Sequence, residues 1–168
     1  MIILKSFKAF IITGVLFVSI IGTLFHFIYN WSGDNVLIGL IAPVNESVWE
    51  HMKLIFFPML FFSIYSKFRF KNISCLNSAL LLGTLLGTFI IPILFYTYTG
   101  ILGRSISIID ISIFYISVII AFYFTYKTKD SCKVERYKNI LYILVIMLII
   151  AFILFTFSPP DIAIFNEP

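Results

Sequence analysis

Five apolar runs, each of about 20 residues, constrain this chain more than any other feature, because about 20 apolar residues are what a helix needs to cross a bilayer. They extend from Phe7 to Ile28, Val48 to Tyr65, Leu76 to Tyr98, Ser107 to Tyr126 and Ile140 to Phe157. None shows the polar-apolar alternation of a membrane barrel strand. Helices that satisfy their own backbone hydrogen bonds are therefore the expected structure. With 61% hydrophobic and 12% charged residues, the 168-residue chain lies outside the usual soluble range. The fold class expected is all-α: an integral membrane bundle of about five transmembrane helices, forming a single transmembrane domain over residues 1–168. The first run follows Lys5 and Lys8 but is too long for a signal peptide and lacks a small-residue cleavage site, so it reads as a retained helix.

Charge orients the bundle. Every lysine and arginine except Lys53 and Arg104 lies in the N-terminal segment, the second loop (Lys67, Arg69, Lys71) or the fourth loop (Lys127 to Lys138). By the positive-inside rule these segments are cytoplasmic, giving N-terminus in and C-terminus out. All acids except Asp130 and Glu135 then fall on or near the opposite face. The basic loops orient the protein on the lipid bilayer; a nucleic-acid partner is not expected. Cys75 and Cys132 adjoin basic loops, and in a reducing compartment no disulfide is expected between them.

Two polar blocks interrupt the apolar pattern, Trp31 to Asn35 and Asn45 to His51. Ionisable groups in such a chain are costly unless they face water, one another or a ligand. In the first helix, Ser19, Gly22, Thr23, His26, Tyr29 and Asn30 recur at offsets of three and four, so His26 is expected to point into the bundle near its outer end. Ser47-x-x-Glu50 fits a reciprocal capping box opening the second span, Trp49 suits an interfacial anchor, and Lys53 is a cation available to Glu46 or Glu50. Pro58 and Pro92 should bend their helices. Ser107-x-x-Asp110 matches a second capping box, with Arg104 as an ion-pair partner for Asp110. Gly83-x-x-x-Gly87 permits close helix approach, either inside the bundle or in self-association through Gly83 and Gly87.

The outer-face groups are candidates for chemistry. Glu50 and Glu46 are the candidate catalytic carboxylates; His26, His51, Asp34 and Asp161 are the candidate ligands of a divalent metal such as zinc. No His-Glu-x-x-His motif, nucleophile elbow, phosphate loop or dinucleotide fingerprint is present. The function expected is that of a multi-pass membrane protein with a polar extracytoplasmic site, with a metal-dependent membrane-embedded hydrolase as the sharpest reading. A non-catalytic component (small subunit, sensor or immunity-type protein) and a small transporter are the alternatives. Against transport, the polar groups gather on one side only.

The strings His26-Phe27-x-Tyr29-x-Trp31-Ser32-Gly33 and Ala42-Pro43-Val44-Asn45-Glu46-Ser47-Val48-Trp49-Glu50-His51-x-Lys53-Leu54, with Pro159-Pro160 and Phe165-x-Glu167-Pro168 near the end, resemble an uncharacterised family of small multi-pass membrane proteins from Gram-positive bacteria. The resemblance covers nearly the whole chain. It implies a bacterial plasma-membrane location and supplies no activity or catalytic residues.

Overall fold

The computed structural model describes residues 2–69, 75–130 and 132–168, with side chains from Phe7 onward. Lys71 of the second basic loop lies outside the described residues. These residues form α1 (Ile2–Trp31), α2 (Val36–Gly39), α3 (Val48–Arg69), α4 (Leu76–Leu102), α5 (Ser107–Thr128), α6 (Cys132–Glu135), α7 (Lys138–Phe157) and a 3-10 turn (Ala163–Phe165). Each expected helix is present, and no strand occurs among the described residues. Four helices are long and apolar enough to cross a membrane: α1 from Phe7, α4, α5 and α7.

The remaining long helix, α3, is the centre of the bundle. It packs against α1, α4, α5, α7 and the 3-10 turn, and every residue from Met52 to Met59 is buried. Around this stretch α3 is enclosed by protein, so it tolerates Glu50, Lys53 and Pro58 there, while Phe61, Ile64, Tyr65 and Phe68 further along are exposed. In contrast, α7 buries only Leu141, Val145, Leu148, Phe152 and Thr156, a stripe at offsets of three and four, and exposes most of the apolar remainder.

Long helices consecutive in the chain run antiparallel, as the packing of Gly14 on Phe62 and Gly22 on Leu54 shows for α1 and α3. Gly83 and Gly87 of α4 meet Ala121, Thr125 and Ser117 of α5, and Gly87 also meets Ile55 of α3. The close approach permitted by these glycines is therefore used between helices of one chain. The same packing overturns the expectation of two separate thiols: Cys75 and Cys132 form a disulfide, with Cα atoms 5.6 Å apart. Compartment bears on the redox state of a thiol pair, but the antiparallel course of α4 and α5 brings the two cysteines together.

Three local expectations are corrected. Trp49 is no interfacial anchor; it is buried against Phe152, Phe155 and Phe165, with ring centroids 4.7, 6.0 and 4.9 Å away, and ties α3 to α7 and the 3-10 turn. The first capping box is half formed. The Glu50 amide donates to Ser47 Oγ at 3.3 Å, but the Ser47 amide donates to Asn45 Oδ1 at 3.0 Å, because the Glu50 carboxylate is drawn to a buried cation. The second box does not form. Asp110 accepts a hydrogen bond from the Tyr98 hydroxyl, the Ile106 amide donates to that same hydroxyl at 3.0 Å, and exposed Arg104 makes no ion pair among the described residues. An aromatic hydroxyl projecting from α4 reaches the start of α5 without the entropy cost of ordering a long exposed arginine.

Candidate metal-binding site

The site begins with the turn that ends α1. Gly33 and Asp34 have φ of 69° and 59°, and the Asp34 amide donates to the Tyr29 carbonyl at 3.2 Å. Glycine adopts this conformation freely and aspartate tolerates it, so the pair stops the helix. Asn35 then caps α2, its Oδ1 accepting from the Leu37 amide at 2.9 Å. The chain crosses back toward the start of α3 through residues 40–47, which deliver Glu46.

A buried charge cluster holds that crossing in place. Lys53 Nζ donates to Glu50 Oε2 at 2.7 Å, to the Gly39 carbonyl at 2.9 Å and to Thr156 Oγ1 at 2.6 Å. All three ammonium donors are satisfied. Glu50 Oε2 also accepts from the Val44 amide at 3.0 Å. Both charged side chains are almost wholly inaccessible, at 0% and 2% exposure. Glu50, a catalytic candidate from the sequence, thus ties the crossing and α7 to α3, while Lys53 ties in α2. Thr156 escaped the sequence reading; its signal is that it is the polar member of the otherwise apolar stripe of α7.

Beside this brace, His26, Glu46 and His51 converge. One ligating atom from each lies within 4.8 Å of the others. His51 Nε2 is 3.3 Å from Glu46 Oε2, His26 Nε2 is 3.8 Å from Glu46 Oε1, and the imidazole rings stack with centroids 5.4 Å apart. Tetrahedral zinc, with ligands at about 2.0–2.2 Å, separates its donor atoms by roughly 3.4 Å, so the two carboxylate-imidazole distances already approximate that spacing. Asp34 and Asp161 are exposed and stand outside this group.

The tautomer of His51 defines what the site needs. Its Nδ1 lies 3.0 Å from the Ser47 carbonyl, which can only accept, so Nδ1 carries the proton. In the neutral ring, Nε2 would direct a lone pair at a carboxylate. A cation belongs between them, either a proton on Nε2 or a metal ion. With the proton there, the His51 hydrogen bond is the chief cause holding the Glu46 carboxyl below the usual carboxylate range; partial burial opposes it. The Ser47 carbonyl also orients the ring, as outer hydrogen bonds do for histidine ligands. Glu167 Oε1 accepts from the Glu46 amide at 3.4 Å, so the last segment of the chain returns to the site through Glu167.

The three residues border a cleft of about 620 Å³ that is also lined by Gly22, Leu54, Ile91 and Phe114. Asp110 lines the same cleft.

A helical bundle of membrane-spanning length, with a histidine-carboxylate cluster at one end, defines the class: a helical protein compatible with a membrane location and carrying a candidate metal site. Its sequence matches the model of a family of unknown function (DUF6512) over residues 1–168, and the chain belongs to that family. No curated protein and no solved structure matches it.

Proposed function

We propose that the chain is a five-span protein of a bacterial plasma membrane, of Gram-positive type, with α3 as the fifth span. Its outer end holds a divalent metal, zinc by donor chemistry, on His26, Glu46 and His51, and works as a metal-dependent membrane-embedded hydrolase. The observation that carries this reading is the mutual approach of the three donors at the mouth of a cleft. Two histidines and a carboxylate form a ligand set that leaves a fourth position for water or substrate, and the ion would supply Lewis acidity and an activated water. The chain's own part is to fix the donors. Ser47 orients His51, and the Lys53-Glu50 brace sets the crossing that carries Glu46. Glu50 is held in the brace and Glu46 in the ligand set; Asp110, which accepts from the Tyr98 hydroxyl, is a further carboxylate on the cleft wall.

Metal analysis of detergent-purified, zinc-supplemented protein tests the site. One zinc per chain is expected, with at least about 10-fold weaker affinity in His26→Ala and His51→Ala, while Asp34→Ala and Asp161→Ala retain it. Wild-type protein without metal would overturn the reading. Zinc affinity should also fall with acidity, because the ligands must be deprotonated to bind. For Glu46, whose folded value is depressed, the contribution is present above the ordinary carboxylate range and is lost only at lower pH, as acidity passes its depressed value.

Orientation has a separate check. In a background with Cys75 and Cys132 replaced by serine, a cysteine at Asp34 should react with an impermeant thiol reagent in intact cells, and one at Asp130 should not. The reverse pattern would invert the assigned topology.

A further inference from the structure

The cleft beneath the histidines is amphipathic along its depth. His26, Glu46 and His51 stand at one end with Ser105, Ser107 and Asp110; Leu54, one helical turn below His51, and the walls from Ile91, Ile113 and Phe114 are apolar. Its volume of about 620 Å³ falls within the range of small-molecule sites. A water-soluble hydrolytic substrate would leave this lower part unused.

The cleft has a neighbour on the outer surface of the bundle. A second groove of about 360 Å³, formed by Ser19, Ile20, Thr23, Leu24 and Tyr115, lies between α1 and α5 on the outer surface of the bundle. Thr23 and Tyr115 belong to both cavities, so they form the partition between them. Ile20 and Leu24 are 59% and 43% exposed, on a helix whose surroundings in this reading are lipid. The partition is closed by one hydrogen bond, 3.1 Å between Tyr115 Oη and Thr23 Oγ1. Thr23 already donates to the Ser19 carbonyl at 2.8 Å, so Tyr115 is the donor across the gap. Tyr115 and Thr23 are thus the residues that groove and cleft share.

We propose that the cleft binds a lipid with an anionic oxygen headgroup, entering sideways from the bilayer between α1 and α5 past Tyr115, with its headgroup at His26, Glu46 and His51 and its chain along Leu54, Ile91 and Phe114. This rests on the metal-site reading for the headgroup: two neutral imidazoles, one carboxylate and a divalent ion leave a net positive charge facing the cleft. The apolar floor and the side groove rest on geometry alone. An amphiphile matches both ends of the cleft, and lateral entry spares its chain exposure to water.

The test is saturation binding of a fluorescent-acyl lysophosphatidic acid to the purified full chain, zinc-loaded and zinc-stripped, with inorganic phosphate and a fatty alcohol of equal chain length as competitors. Zinc-loaded protein should bind the probe, and phosphate alone should compete at least about 100-fold more weakly by concentration. Ile91→Trp fills the apolar part and should weaken binding at least about 10-fold with zinc content unchanged; Ile111→Trp, at an exposed rim position, is the second variant should the first fail to fold. Tyr115→Phe removes the partition hydrogen bond and should speed association about fivefold. Normal zinc content with lipid binding indifferent to both tryptophan variants would overturn this proposal and leave the metal reading intact. Equal competition by inorganic phosphate would also overturn it, assigning the site to a free anion. Lipid binding that Ile91→Trp abolishes in a protein that holds no zinc would support the lipid site and remove the metal reading alone.

Discussion

Lys53→Met is expected to lower the stability of the purified protein by about 3–5 kcal/mol, the cost of leaving one member of a buried ion pair without its partner. The structure explains why solvent cannot compensate. Glu50 is 2% exposed and would retain only the Val44 amide and the distant Thr156 hydroxyl, at 3.0 and 3.4 Å. The Gly39 carbonyl and Thr156 would also lose a donor. Because the brace holds residues 40–47, the substitution should also displace Glu46 and weaken zinc binding without touching a ligand. The double variant Glu50→Gln/Lys53→Met removes both charges while keeping an acceptor for Val44, and it should recover at least half of the loss. Thermal unfolding in detergent of the wild type, both single variants and the double variant would measure the coupling. A Lys53→Met protein within about 1 kcal/mol of wild type would show that the pair does not organise this end of the bundle.

Gly83→Leu should have the next largest effect, by prying α4 from α5. A Cβ at Gly83 would stand 2.6 Å from the Ala121 carbonyl oxygen and against Thr125 Oγ1, which donates to Ala121 and Ala79 at 2.9 and 3.3 Å. The obstruction includes backbone, which cannot rotate aside. The cost should reach or exceed the upper end of the 1–3 kcal/mol typical of overpacked cores. Thermal unfolding combined with size measurement in detergent separates two roles for the glycine pair. Unfolding at lower temperature with unchanged oligomeric state is expected from packing within the chain. A fully stable variant that changes only from oligomer to monomer would assign the glycine face to self-association instead.

Much of the architecture was legible because lipid sets a length scale that a sequence either meets or does not. The five apolar runs correspond to α1, α3, α4, α5 and α7, with ends shifted by a few residues, as at Trp31 and Leu102. Helical periodicity put His26 on a face with Gly22, and there it is half-buried beside Glu46, although Thr23 and Asn30 of the same face are exposed. Periodicity did not show which carboxylate would meet it. Glu46 and Glu50 both precede or open α3 and look equivalent in sequence, yet Glu50 turns toward Lys53 and Glu46 toward the imidazoles. That division depends on Gly39, Val44 and Thr156, the last of them 103 positions from Lys53. Trp49 was misread for a related reason: tryptophan near a span end favours the interface, but the return of Phe165 and the flank of α7 cover it.

By itself the sequence determined that this chain makes long helices, how many, and that its ionisable groups segregate between two ends, because hydrophobic length and charge placement are local properties read along the chain. Tertiary structure alone decided that α3 lies at the centre, that Cys75 meets Cys132, and that Lys53 takes Glu50 and so leaves Glu46 to His26 and His51. Those outcomes depend on distances of a few ångströms between residues on different helices. Helix packing sets such distances, and no pattern along one helix encodes them.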